Sequence, residues 1–416
     1  MLKFQRCTKN PIISPNPKND WEAKATFNPS VAKSKSYIYL LYRALSNKKK
    51  NNGIEMPVSS IGYKMSTDGI NFSDCGQLIK PEKEWEKFGC EDPRITKLED
   101  KYYIFYTALS KYPFQAKGIK IGLATTKSFD HLEKHLVTRF NSKAMAVFPE
   151  RINGKIAALL TVDTDKPPAK ICLAFFDDEA EIWSKDYWEN WYKNLESHII
   201  PLLESGQDHI ELGAPPVKTK KGWLLFYSYI ENYFSSSKVF TVKAVLMDKD
   251  LQKIIGKSDQ ALLLPEADYE LKGRVPEIVF PSGGIKENGN IYLYYGAADN
   301  FGCMAHIKKD SLLNDLTKEK ETVFLQPKTK NECFQRFSQN PIIKPRPEFK
   351  WEAKATFNPA AIYKNGKTHI IYRAMSQNNT SVLGYALTKD GVNIDQRSSC
   401  QFINLEKTLK KNQPGG

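Results

Sequence analysis

Short aromatic and β-branched runs, each set off by a polar turn, recur along this chain. They fall at 37–43 (YIYLLYR), 102–108 (YYIFYTA), 155–162 (KIAALLTV), 222–229 (GWLLFYSY) and 290–297 (NIYLYYGA). Their length and residue types are those of β-strands. Companion strands lie between them at 119–125, 171–176 and 240–246. The runs recur roughly every 60 residues, with several strands in each period, which is the signature of propeller blades. The pattern predicts an all-β chain whose first 325 residues form a five-bladed β-propeller. A parallel β-helix needs much shorter repeats, whereas tandem β-sandwiches stay open on pattern alone. One stretch breaks the rhythm: 184–198 (SKDYWENWYKNLESH) reads as a helix with Ser184 as its N-cap.

A coarser repeat is nearly literal. Residues 4–46 reappear at 334–376 without a gap, so that Phe4 answers Phe334, Trp21 answers Trp351 and Arg43 answers Arg373. After a shortened loop the match resumes, Ile61-Gly62-Tyr63 against Leu383-Gly384-Tyr385 and Asp68-Gly69 against Asp390-Gly391. Residues 331–416 therefore read as an incomplete second copy, a repeat of blade one. A lone blade cannot bury both sheet faces.

Composition removes several classes. A net charge of +14 would suit nucleic acid, but the lysines are scattered, and the one dense run, Lys48-Lys49-Lys50, sits in a loop beside Asn51 and Asn52. No nucleic-acid partner is expected. Seven dispersed cysteines without a C-x-x-C suggest a reducing compartment. The N-terminus has no apolar core of a signal peptide, and no run approaches the length of a membrane span. A cytoplasmic chain without a membrane partner is expected, with homo-oligomerisation open. The motifs of zinc proteases, P-loops, serine hydrolases and EF-hands are missing, and the six histidines show no ligand spacing. No cofactor or metal is expected.

Carboxylates carry the candidate chemistry. Glu91-Asp92-Pro93-Arg94 precedes the second aromatic run, and Pro93 is expected to hold Asp92 extended, with its carboxylate in a defined direction. Arg94 could pair with Glu91 or Asp92, cap the turn, or grip a substrate oxygen. Glu150 opens the third blade after Pro149. Glu211 lies ahead of the fourth aromatic run, Glu277 follows Pro276, and Asp299 follows the fifth run. Each alone suits a turn, but one carboxylate per blade edge, converging beside Tyr and Trp, matches glycosidic bond cleavage. Trp183, Tyr187, Trp188, Trp191 and Tyr192 crowd the inserted helix, either as core packing or as a lid.

At these residues the chain resembles glycoside hydrolase family 130, the β-mannoside phosphorylases and β-mannosidases. The resemblance runs from Asn10-Pro11-Ile12 to about His306. It is carried in order by Phe27-Asn28-Pro29, Leu41-Tyr42-Arg43, Glu91-Asp92-Pro93-Arg94, Phe148-Pro149-Glu150, Pro215-Pro216 with Gly222-Trp223-Leu224, and Tyr294-Tyr295-Gly296-Ala297-Ala298-Asp299. It implies a five-bladed propeller and an inverting attack on a mannoside, with Asp92 as proton donor acting through a sugar hydroxyl. Asn28, Arg43, Arg94 and Asp299 resemble sugar-binding and acid-positioning residues. Tyr106, Lys143 and Glu277 join them as candidate substrate-binding residues.

The chain departs from the phosphorylase pattern in two places. Ala158-Leu159-Leu160-Thr161 stands where phosphorylases carry Leu-His-Arg, and Tyr227-Ser228 stands where they carry Tyr-His. Each lost charge-assisted hydrogen bond is worth about 1.5–3 kcal/mol of phosphate affinity. Glu211 replaces a glycine and could serve as base for water, with Glu150 as the other candidate base. This pattern favours hydrolysis of a β-mannoside oligosaccharide. The alternative is phosphorolysis to mannose 1-phosphate, with inorganic phosphate as co-substrate and Arg94, Arg151 or Lys143 as its grip. A non-catalytic carbohydrate-binding propeller is a third reading.

Overall fold

The computed structural model describes residues 2–236, 238–318, 323–325 and 337–402. The chain divides into two compact units, Met1–Thr329 and Lys330–Gly416.

The first unit is almost entirely antiparallel β-structure. A short β1 (Gln5–Arg6) precedes a meander of β2 (Ala25–Lys33), β3 (Ile38–Asn51), β4 (Ile54–Ser66) and β5 (Ser73–Ile79). A second meander follows: β6 (Gly89–Leu98), β7 (Lys101–Leu109), β8 (Ile119–Thr126) and β9 (Glu133–Leu136). The third is β10 (Ser142–Val147), β11 (Ile156–Val162) and β12 (Lys170–Phe176), with helix α1 (Lys185–Lys193) after it. The fourth comprises β13 (His209–Leu212), β14 (Val217–Lys218), β15 (Trp223–Glu231), β16 (Val239–Met247) and β17 (Lys253–Lys257). After the short helix α2 (Asp268–Leu271) comes β18 (Val279–Glu287), β19 (Asn290–Ala297) and β20 (Phe301–Lys308), then α3 (Lys309–Leu316) and β21 (Val323–Phe324). Two pairings tie distant segments together. β1 adds to the edge of β20 (Gln5 opposite His306, Arg6 opposite Ala305), and β21 adds to β17.

Burial follows the period-two rule of a strand covered on both faces. Every residue of β11 is buried. Ala157 and Leu159 pack with Trp223, Leu225 and Tyr227 of the fourth meander, whereas Ala158 and Leu160 pack with Tyr103 and Phe105 of the second. Each fully buried leucine contributes about 1.5–3 kcal/mol. The meanders are thus stacked face to face, and the first strands β2, β6, β10 and β18 come together, β2 beside both β6 and β18 and β6 beside β10.

The helix expected at 184–198 forms as α1, followed by a 3-10 turn at Leu195–His198. Ser184 caps it, its hydroxyl accepting the Tyr187 N–H at 3.3 Å. Trp188 and Trp191 are buried, and their indole N–H groups donate to the Ile182 and Leu173 carbonyls at 2.8 and 3.1 Å. Trp188 and Trp191 are thus core packing against the third meander, whereas Tyr192 stays exposed.

The second unit contains β22 (Ala355–Lys364), β23 (Lys367–Met375), β24 (Ser381–Thr388) and β25 (Gln396–Arg397) in one antiparallel sheet. It reproduces the first meander closely. β22 carries its bulge between Phe357 and Ala360, as β2 does between Phe27 and Ser30. Tyr372 donates to Glu352 at 2.8 Å, as Tyr42 donates to Glu22 at 2.5 Å. Most of β22 is nonetheless exposed, whereas β2 is buried nearly throughout. The first residues of the repeat, Phe334, Gln335 and Arg336, lie outside the described residues. Among the described residues no helix is long and apolar enough to cross a membrane.

Candidate active site

Three of the first strands share one backbone device. β2 is bulged between Phe27 and Ser30, β6 between Glu91 and Arg94, and β10 between Lys143 and Ala146. Within each bulge one residue turns left-handed: Asn28 at φ 51°, Asp92 at φ 50° and Ala144 at φ 48°. A bulge bends its strand and re-aims a side chain. Asn and Asp tolerate left-handed backbone better than other non-glycine residues. Asp92 therefore departs from the extended geometry expected beside Pro93: the bulge, not the proline alone, sets its direction.

The bulges bring Asn28 and Asp92 together. The Asn28 amide donates to Asp92 Oδ1 at 2.7 Å. Arg43 reaches both acids of the second bulge, with Nη2 on Glu91 and Nη1 at 3.5 Å from Asp92 Oδ1. Ser59 donates to Glu91 Oε1 at 3.0 Å and accepts from Arg43 Nε at 3.1 Å. Close approach at Gly296 makes room for Asn28, since a Cβ there would lie 1.9 Å from Asn28 Oδ1. Burial raises the Glu91 carboxyl, and the neighbouring Asp92 adds to this against the pull of Arg43. Burial would raise Asp92 too, but Arg43, Arg94 and the Asn28 amide outweigh it and hold Asp92 below the ordinary aspartate value. Asp299, at φ 50°, faces the same cluster. Burial, offset by Arg43 and reinforced by Asp92 and Glu91, pushes it up to about 6.

A second group lies within electrostatic reach of the first. Lys143 of β10 sits 3.4 Å from Asp165 and also feels Glu211, Glu91 and Asp92. Burial would lower its ammonium, but these four acids raise it instead. Glu211 of β13 is pushed up to about 7 by burial, with Asp92 and Asp165 adding to the rise and Lys143 and Arg94 opposing it. His209, two residues earlier on the same strand face, stacks on Tyr233 with centroids 4.2 Å apart. Burial beside Lys143 lowers His209 to about 4, so the imidazole is neutral. At neutral pH this side of the site offers one ammonium and one carboxyl that readily takes up a proton.

Several expected residues stand elsewhere. Arg94 is fully buried. Its guanidinium donates to the carbonyls of Asp92 and Pro93 at 3.0 and 3.1 Å and to those of Gly213 and Leu212 across the molecule, over the Phe280 ring. It braces β6 against the end of β13, with four of its five N–H donors on backbone carbonyls. Tyr106 is also buried, donating to Glu86 on the far side of β7. Glu150 lies beyond the opposite end of β10 from Lys143, partly exposed and ion-paired with Lys218, so the structure does not bring it together with Asp92 and Glu211. Arg151, beside it, pairs with Glu99 at 2.9 Å. Glu277 is exposed, in the loop before β18. The site therefore gathers Asn28, Arg43, Asp92, Lys143, Glu211 and Asp299, with Glu91, expected as a partner of Arg94, held by Arg43 instead; it adds Ser59, Asp165, His209 and Tyr233, which the sequence did not single out. Strand alternation could have flagged His209 from Glu211; nothing local marks Asp165.

Among the described residues no group of three or more His, Cys, Asp or Glu is arranged to hold a metal ion. Buried, paired carboxylates beside arginine, lysine and an aromatic ring are equipment for acid–base chemistry on a glycoside. Comparison with known proteins agrees. Residues 4–319 match the family model described as beta-1,4-mannooligosaccharide phosphorylase, so the chain belongs to glycoside hydrolase family 130 and is an enzyme acting on glycosides. It is similar to a 1,2-beta-oligomannan phosphorylase of Thermoanaerobacter sp. (strain X514), with 35% identity over 72% of this chain and 95% of that protein. A beta-1,2-mannobiose phosphorylase of the same organism is 33% identical over 75% of this chain and 99% of that protein. Among solved structures, the beta-1,2-mannobiose phosphorylase of Listeria innocua in complex with beta-1,2-mannobiose shares the fold, with a TM-score of 0.62 at 23% identity over 76% of this chain and 99% of that one. These names favour phosphorolysis over the hydrolysis that the substitutions at Thr161, Ser228 and Glu211 suggested.

Proposed function

We propose that this chain is an inverting phosphorylase of β-1,2-linked mannosides, working at the centre of a five-bladed β-propeller whose blades are the five meanders. The observation that carries it is the match to two phosphorylases along nearly their whole length. The site supports the chemistry. Asp92, aimed by its bulge and held by Asn28 and Arg43, is the proton donor to the leaving oxygen through a sugar hydroxyl. Covering it with sugar removes water and strengthens the burial that favours its protonated form. Phosphate attacks the anomeric carbon from the opposite face. The C–O bond to the leaving sugar breaks, a C–O bond to phosphate forms, and α-mannose 1-phosphate results. Lys143 and the protonated carboxyl of Glu211 are the groups that receive the phosphate. Asp299 and Arg43 hold the mannose. The thiols of Cys7, Cys75, Cys90, Cys172, Cys303 and Cys400 are free, which fits a cytoplasmic protein.

Hydrolysis is the second reading, and Glu211 favours it. A buried carboxyl poised near neutrality suits a general base for water, and it would repel phosphate when ionised. Incubating the protein with β-1,2-mannobiose, with and without inorganic phosphate, separates the two. A phosphorylase consumes phosphate and yields mannose 1-phosphate; release of mannose alone at the same rate in both would establish hydrolysis.

A further inference from the structure

The second unit repeats Asn28 and Arg43 as Asn358 and Arg373. It differs from its template where the template is joined to the rest of the first unit. The loop between its second and third strands is cut short: β23 stops at Met375 and β24 starts at Ser381, whereas β3 and β4 extend as a long hairpin to Asn51 and Ile54. Where that hairpin is missing, a cavity of about 820 Å³ opens inside the second unit. That is within the usual range for a small-molecule site.

Its lining is distinctive. The half-buried indole of Trp351 forms an apolar wall, and Ser376, Gln377, Asn378, Thr380 and Gln401 surround it with hydroxyls and amides. Among the described residues the lining's one charged group is the ammonium of Lys350 and no carboxylate joins it, so neither a metal ion nor a cationic ligand is favoured. An aromatic face beside hydroxyls, amides and one ammonium, which also donates to hydroxyls, suits a ring that presents C–H groups on one side and hydroxyls at its edge.

The wall is rigidly held. The Trp351 indole N–H donates to the Ser399 carbonyl at 3.3 Å. Next to it, the buried carboxylate of Glu352 takes Arg346, Arg397 (2.7 Å) and the Tyr372 hydroxyl (2.8 Å). In the first meander the positions of those two arginines hold Asn16 and Cys75. The copy thus carries its own charge compensation for this buried acid, where one unpaired would destabilise it.

We propose that the second unit is a non-catalytic carbohydrate-binding unit, with its site at Trp351, and that it holds a neutral β-mannan chain. The choice of sugar rests on the function proposed above; the cavity and its chemistry do not. The site binds without cleaving, because no carboxylate stands among the described residues of its lining to act as acid or base.

The test uses the full-length chain carrying Asp92→Asn, titrated calorimetrically with β-1,2-mannotetraose. Two equivalents should bind, and adding Trp351→Ala should remove one of them or weaken it at least about tenfold. In the otherwise native chain, Trp351→Ala should leave cleavage of β-1,2-mannobiose unchanged. The paired Gln377→Ala and Asn378→Ala substitutions, in an exposed loop, repeat the test without touching the packed indole. A single equivalent that neither set of substitutions alters overturns the proposal. So does a dimer, seen by sedimentation, that Trp351→Ala dissociates, since the cavity would then be a contact between copies. Failure of the native chain to cleave any β-mannoside counts against the proposed function instead, and is read separately.

Discussion

The amide of Asn28 and the carboxylate of Asp92, 2.7 Å apart, sit at matching bulges of two neighbouring strands with nearly the same left-handed φ, 51° and 50°. One device, used twice, builds the donor and the acceptor of a single hydrogen bond. Asn28→Ala removes that bond and a residue suited to the backbone. A hydrogen bond to a charged group is worth about 1.5–3 kcal/mol, so kcat should fall by about 10- to 100-fold. Steady-state kinetics on β-1,2-mannobiose measure this, and an unchanged kcat would remove Asn28 from acid positioning.

Asp92→Asn retains the shape and the left-handed backbone but has no proton to give. Turnover of an unactivated disaccharide should fall by the roughly 10²–10⁴-fold typical of a general acid. Near-native turnover would rule Asp92 out as the donor. Glu150→Ala, by contrast, should change turnover by less than about twofold, because that carboxylate is engaged with Lys218 at the far end of the strand.

Glu211 gives opposite pH dependences for the two readings. Its carboxyl titrates at about 7 in the fold. If it receives phosphate when protonated, kcat/KM should fall as pH rises through about 7. If it activates water when ionised, kcat/KM should climb over the same range. A pH profile of the native chain beside Glu211→Gln decides, since the limb near 7 should vanish in the variant.

Stability follows from the same group. The folded chain binds this proton more tightly than the unfolded one, whose glutamate titrates near 4.5. The contribution is complete below about 4.5 and is lost as pH rises through about 7. At pH 8 the buried, ionised carboxylate is a net cost of up to ~3 kcal/mol. Glu211→Gln should therefore raise Tm at pH 8 and have little effect at pH 5. Equal shifts at both pH values would show that the effect is not ionisation.

Arg94 should behave as a brace. Arg94→Ala leaves buried carbonyls of Asp92, Pro93, Leu212 and Gly213 without their donor and should destabilise the first unit by about 3 kcal/mol or more. Thermal unfolding is the measurement. A variant that keeps its Tm but loses affinity for substrate would return Arg94 to the sugar.

Some of this was readable in order along the chain. Near-continuous apolar runs announce burial on both faces, as at 155–162, where every residue of β11 is covered. The copied segment is visible letter by letter, whereas the bulges at Asn28 and Asp92 were not foreseen, Asp92 being expected extended beside Pro93. These signals are local, and local sequence carries them because strand propensity and alternation act over a few residues.

What the tertiary structure decided is which side of a strand, and which end of it, each charged group occupies. Glu150 and Glu211 looked alike as acids beside proline-bearing turns, yet one is partly exposed beyond the far end of β10 and the other is buried near Lys143 and Asp165. Arg94 looked like a ligand for phosphate or sugar, yet four of its five donors lie on carbonyls, two of them in β6 and two at the end of β13, more than a hundred positions away. Burial and partner choice depend on neighbours distant in sequence, and they set both the protonation state of a carboxyl and the availability of a cation. The sequence alone determined the strands and supplied the acids; the stacking of the sheets decided which acids could work together.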